Sequence, residues 1–104
     1  MIITSTETIP GKEITQILGI ARGSTVRARN FGSDFMAGLK NIIGGEVSEY
    51  TKLQARSREQ AMKRMVDDAE RLGADAIVNV RFTTSMIMQG MSEILAYGTA
   101  VKLQ

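Results

Sequence analysis

The residues best equipped for chemistry in this chain are Met86, Met88, Met91 and Glu93, gathered around Gln89-Gly90 in the stretch MIMQGMSE. Thioethers are soft donors that favour Cu(I) among the common metals, so this cluster is a candidate metal site. The same residues have a plainer use. Methionine is flexible and fills irregular contacts, and a projecting hairpin tip is a natural place for such packing. Contact surface is the leading reading, and a soft-metal site is its rival.

The arginines come next. Arg22, Arg27 and Arg29 lie in RGSTVRAR, where Arg27 and Arg29 share a strand face. Arg27 and Arg29, together with Arg81, are candidates to bind an anion, a phosphate or carboxylate, above all where several copies converge on one axis. The alternative is an edge strand protected by charge. No aromatic residue interleaves with the arginines of RGSTVRAR, so nucleic acid is not an expected partner. Asp67, Asp68 and Glu70 stand among Lys63, Arg64 and Arg71, which describes a solvated helix face rather than a hard-cation site. The glycines of RGST and GGE lack the spacing of a phosphate-binding loop.

Composition narrows the field. The 104 residues contain no Cys and no His. That removes disulfides, thiol nucleophiles, the commonest zinc ligand and any Ser-His-Asp triad. No nucleophile stands with an activating base, so the chain is not expected to be an enzyme. Net charge is +2, with 43% hydrophobic and 23% charged residues, as in an ordinary globular domain. No run approaches the roughly 20 apolar residues of a membrane span, and the first residues do not resemble a signal peptide. A cytoplasmic protein with a single domain over residues 1–104 is the expectation.

These residues must be positioned by a small set of elements. Residues 2–8 are β-branched and predict a strand, followed by a turn at Pro10-Gly11. Residues 12–29 predict two strand segments broken near Gly19 or Gly23. A helix is expected over 32–45, with Phe35, Leu39, Ile42 and Ile43 at helical spacing. A longer helix is expected over 48–72, with Ala55, Met62, Met65, Val66, Ala69 and Leu72 as its apolar stripe and Gly73 as its stop. Residues 74–87 and 92–103 alternate as strands. The expectation is an α+β fold in β-β-α-α-β-β order, an antiparallel sheet packed against one long helix.

Pairing the last two strands about Gln89-Gly90 sets Met86 opposite Glu93 and Met88 opposite Met91. All four then share one face. It also predicts a face of Val78, Val80, Phe82, Leu95, Tyr97 and Val101 that packs on the long helix. The opposite face carries Asn79, Arg81, Thr83 and Ser85 beside Ile94, Ala96, Gly98 and Ala100. Being small and flat, that second face, or the edge beside it, is expected to meet a neighbouring subunit, the alternative being a plain solvent face with Gly98 at a bulge.

The segments IITSTETIPGKEI, DFMAGLKNIIGGEVSEY, ARSREQAMKRM, LGADAIVNVRFTTSMIMQG and YGTAV resemble the YbjQ family of small bacterial and archaeal proteins, over nearly the whole chain. The resemblance implies a dodecin-like subunit assembled as a homopentamer, and heavy-metal binding, with a metal ion as the implied cofactor. It supplies no catalytic residue. Many relatives carry carboxylates in the strand corresponding to 79–85, where this chain has Arg81, Thr83 and Ser85, so tight divalent binding is not expected here. An oligomeric binding protein is the leading functional expectation. A scaffold ring for a protein partner or a membrane surface is the alternative.

Overall fold

The computed structural model describes the backbone of residues 1–28 and 48–104, and the side chains of 1–27 and 55–104. The helix expected over 32–45 and the candidate Arg29 lie outside the described residues. The elements are β1 (Ile2–Ile3), β2 (Ile14–Ala28), α1 (Ser48–Arg71), β3 (Ala76–Met88) and β4 (Met91–Leu103). They form one four-stranded sheet in the order β1-β3-β4-β2. Helix α1 lies on one face, chiefly over β2 and β4. The sheet is mixed rather than antiparallel, because β1 runs parallel to β3 through Ile2–Ala76 and Ile3–Ile77. The class is α+β.

Strand β1 stops early for a local reason. Thr6 N–H donates to Thr4 Oγ1 (3.1 Å), and Thr6 Oγ1 donates to the Thr8 carbonyl (2.7 Å). Side chains that serve the backbone in this way compete with a ladder. The segment still touches the sheet, since Val80 N–H donates to Thr4 O and Asn79 N–H to Thr6 O, both at 3.0 Å. Strand β2 is one strand, not two. Its irregularities fall between Ile14 and Gln16 and between Ile17 and Gly19, where Gly19 takes φ +128°.

Helix α1 buries Ser57, Ala61, Met65 and Ala69, which recur every fourth residue and so lie in one row. Ala61 and Ala69 are small, and the sheet answers with Ala21, Gly23, Ala96 and Ala100. Gly23 does not mark a bend. A Cβ there would lie inside contact distance of Met65 N and Ala61 O, so glycine is what lets the helix come down onto β2. The helix ends where Gly73, at φ +80°, donates to the Glu70 carbonyl (2.9 Å) and Ala74 reaches back to Ala69 O (3.0 Å).

The hairpin of β3 and β4 departs from simple pairing twice. Met88 pairs with Met91, but Met86 pairs with Ser92, so Ile87 is an extra residue. Arg81 pairs with Tyr97 and Val78 with Thr99, so a second extra residue sits at Asn79–Val80. Asn79 takes φ 54°, a left-handed conformation that Asn adopts more readily than most residues. Each extra residue exchanges the two faces of β3 relative to β4.

The expected faces are therefore corrected. Ile94, Ala96 and Ala100 pack in the main core under α1, together with Ile77 and Val80. The small face is thus the helix face and not a subunit contact. Gly98 is close to its own chain, since a Cβ there would lie 2.7 Å from Ile77 Cγ2 and 2.9 Å from Val78 O. Val78 and Val101 instead join Ala76, Ile9, Ile14 and Leu103 in a smaller cluster on the outer face.

Candidate functional site

The register separates the tip residues. Met88, Met91 and Glu93 fall on the outer face, whereas Met86, opposite Ser92, falls on the helix side. The extra residue at Ile87 causes the split. Met86 is 79% exposed and Met88 58%. Two thioethers and one carboxylate remain together, the third thioether being on the other side.

The arginine candidates are also apart. Arg27 lies on the helix side, where Nε donates to Ser57 Oγ (2.9 Å) and Nη2 to Gln60 Oε1 (3.0 Å). Its guanidinium is spent on joining β2 to α1, next to the buried bond from Thr25 Oγ1 to Ser57 O (3.1 Å). A shallow groove there is lined by Arg27, Arg56, Glu59 and Lys63. Arg81 lies on the outer face, and its Nη1 donates to Ser5 O (3.0 Å) and Val80 O (2.9 Å). It ties the segment after β1 to the rim of β3.

Sequence reasoning missed a row on the outer face. Tyr97 pairs with Arg22 on β2 and with Arg81 on β3, so one row of the outer face carries an aromatic residue and two cations. The next row is Ser24, Leu95 and Thr83, and the one after it Val26, Glu93 and Ser85. Arg81, Thr83 and Ser85 do share a face, as their spacing suggests. No local signal links Arg22 to Tyr97, because their neighbourhood exists only once three strands are in register.

The second feature missed is a clamp on the rim of β2. Asp68 Oδ2 accepts from Arg22 N–H (3.0 Å), and Arg64 Nη1 donates to the Ser24 carbonyl (2.6 Å). Asp68 also accepts from Arg71. The Arg71 hydrogen bond, helped by the Arg22 N–H, holds the Asp68 carboxyl below its ordinary pKa, and burial opposes this only partly. Lys63 and Asp67, at 3.1 Å, form an exposed i,i+4 pair of small energetic weight.

As a heavy-metal centre the donor set is poor. The sequence supplies neither His nor Cys. Among the described residues no three Asp or Glu side chains gather to hold an ion. Arg81 places a cation on the face where carboxylates would be wanted. The described residues of one subunit thus do not fit a divalent heavy-metal site. No helix among them is long and apolar enough to cross a membrane.

Residues 1–104 match the model of the YbjQ family described as "Putative heavy-metal-binding". The chain is 61% identical over 103 residues to a UPF0145 protein of Methanosarcina acetivorans, covering 99% of this chain and 97% of that one. It is 57% identical to a UPF0145 protein of Archaeoglobus fulgidus, covering 100% and 96%. A third, from Vibrio campbellii, is 56% identical and covers 99% of both. A crystal structure of a DUF74-family protein of unknown function from Pediococcus pentosaceus matches with a TM-score of 0.65 at 15% identity, over 100% of this chain and 98% of that one. That likeness supports the fold alone. With a full-length family match and relatives of this identity, the chain belongs to the YbjQ family.

Proposed function

We propose that this chain is the subunit of a homo-oligomeric, non-catalytic binding protein, a dodecin-like ring of five copies. The number five rests on family resemblance. The observation that carries the oligomeric reading is the distal half of the hairpin. Every residue from Arg81 to Met88 is exposed, including Phe82, Met86, Ile87 and Met88. Apolar side chains grouped on an arm with no helix of the described residues beneath it describe a surface made for contact. The radius of gyration, 17.2 Å, agrees with this, since a compact chain of about 100 residues measures about 13 Å.

The ligand class that the donors support is not a divalent heavy metal bound within one subunit. An anion held by the outer-face arginines is the better chemical match, because Arg22 and Arg81 share one row of that face with Tyr97. Native mass spectrometry of the untagged protein tests both parts. The expected result is a pentamer without stoichiometric zinc, nickel or cadmium. A monomer at micromolar concentration would overturn the oligomeric reading. A metal retained in ratio to subunits would overturn the ligand class.

A further inference from the structure

Both edges of this sheet have a stretch that nothing among the described residues covers. On the β3 side, the segment after β1 supplies bonds at Asn79 and Val80, and Arg81 closes that contact through Ser5. Beyond it runs Phe82–Met88, FTTSMIM, with no charge, no Pro and no Gly. On the β2 side, the Asp68 and Arg64 clamp occupies the rim at Arg22 and Ser24. Before it runs Ile14–Ile20, ITQILGI, again without a charge. Ile17 and Ile20 are 71% and 70% exposed. A bare, uncharged edge is a template for another strand, and soluble proteins normally blunt such edges with charge, Pro or a cover. Among the described residues neither stretch is blunted.

The direction of the backbone groups follows from two bonds. Val80 N–H points away from β4, to Thr4 O. Alternation along β3 then turns the N–H groups of Phe82, Thr84 and Met86 outward. Arg22 N–H points away from β4 to Asp68, so by the same alternation Ile20 N–H is outward too. Each rim offers donors and acceptors that its own chain's β4 cannot take.

We infer that the rim of β3 at Phe82–Met88 pairs with the rim of β2 at Ile14–Ile20 of a second copy of this chain. The inference rests on the oligomeric reading above and names the elements that join. The two rims differ, so the contact is head-to-tail, and repetition closes a ring when the rotation per copy allows it. A partner of another kind would leave one of the two rims bare. Pairing with a second copy covers both.

Amide hydrogen exchange on the native assembly, with the subunit number measured on the same sample, tests this without any variant. The outward amides of Phe82, Thr84, Met86 and Ile20 are expected to exchange about a hundredfold or more slowly than free amides. Fast exchange at those positions in an intact oligomer would overturn the rim pairing and leave the oligomeric reading standing. A monomeric protein would overturn both. Slow exchange in a monomer would assign the β3 rim to the chain's own residues 29–47, and so overturn the inference as well.

A mixing experiment decides which rims meet. Thr84→Pro removes one outward donor of β3, and Ile20→Pro one of β2. Each variant alone is expected to be monomeric, and an equimolar mixture is expected to form a one-to-one dimer through the two intact rims. Assembly of Ile20→Pro on its own would show β3 pairing with β3 and would overturn the head-to-tail contact.

Discussion

The near and far halves of the β3–β4 hairpin share a backbone and little else. Near the base, Ala76, Ile77, Val78 and Val80 are buried, one face under α1 and the other under Ile9, Ile14 and Leu103. Toward the tip, from Arg81 to Met88, β3 is exposed throughout. The side chains do not account for the contrast, since Phe82, Met86 and Ile87 are as apolar as the valines. What differs is supply. The helix covers β2 and β4, the segment after β1 ends at Arg81, and nothing else among the described residues reaches the arm. The base is held by its own chain, and among the described residues the arm is left bare.

That contrast can be broken most severely at the base. Gly23→Val places a side chain against the α1 backbone at Met65 N and Ala61 O, which cannot yield without moving the helix. A loss of about 3 kcal/mol or more is expected in chemical denaturation, at or beyond the top of the usual overpacking range. Met65→Ala empties the largest fully buried side-chain volume among the described residues and should cost about 2–5 kcal/mol. Met86→Ala, Met88→Ala and Met91→Ala on the arm should each change the stability of the isolated subunit by less than about 0.5 kcal/mol. Their effect is expected in the subunit dissociation constant instead. Replacing Met86, Met88 and Met91 together with Leu should leave assembly largely intact, because the volumes are similar. Copper uptake by the wild type that vanishes in this triple variant would make the tip a Cu(I) site.

The clamp on β2 gives a smaller, pH-dependent effect. Asp68→Ala leaves the Arg22 N–H and the exposed Arg71 guanidinium to water, and at pH 7 should cost about 0.5–1.5 kcal/mol. The carboxyl is depressed in the folded state from an ordinary value of 3.8. Its stabilisation is therefore fully present above that value and fades as pH falls through the lower folded-state value. Denaturation curves of wild type and Asp68→Ala should converge on acidification below about pH 4 and stay apart at neutral pH.

The smallest effect concerns the outer face near the arm. Zinc, nickel and cadmium should bind the wild type only in about the high-micromolar range or weaker. Arg81→Asp combined with Thr83→Asp sets two carboxylates on the face that holds Glu93, and calorimetric titration should show tighter binding. Sub-micromolar zinc binding by the wild type, indifferent to Arg81, would place the site elsewhere.

Much of the framework could be read from the sequence. The 3.6-residue pattern of Ala55 to Leu72 with Gly73 behind it placed the long helix to within a residue at its C-terminal end. Alternation placed β3 to within two residues and β4 to within one. Their faces were not legible, because two extra residues, at Ile87 and at Asn79–Val80, each exchange them. A one-residue slip costs nothing in composition and leaves no trace in alternation, so only the φ of Asn79 betrays it. The strand expected over 2–8 ends at Ile3, and its early stop was not legible because Thr4, Thr6 and Thr8 read equally well as strand formers and as side chains that occupy their own backbone. The candidate residues fared likewise. Arg27 and Arg81 were visible by type, but the rows they join depend on contacts far apart in sequence, as with Arg22, Tyr97 and Asp68.

The clamp also bears on unlimited chain growth. A rim left bare along all of Ile14–Ala28 would accept an incoming strand at several offsets, and freedom of offset is what fibrillar stacking needs. With Asp68 on Arg22 and Arg64 on Ser24, a strand advancing along β2 meets a stop built from the chain's own helix. In the proposed pairing the stop works as a ruler, fixing how far two copies overlap. Because one of its two pins is a carboxylate, protonation loosens the ruler, and slipped, open-ended stacking becomes available in acid.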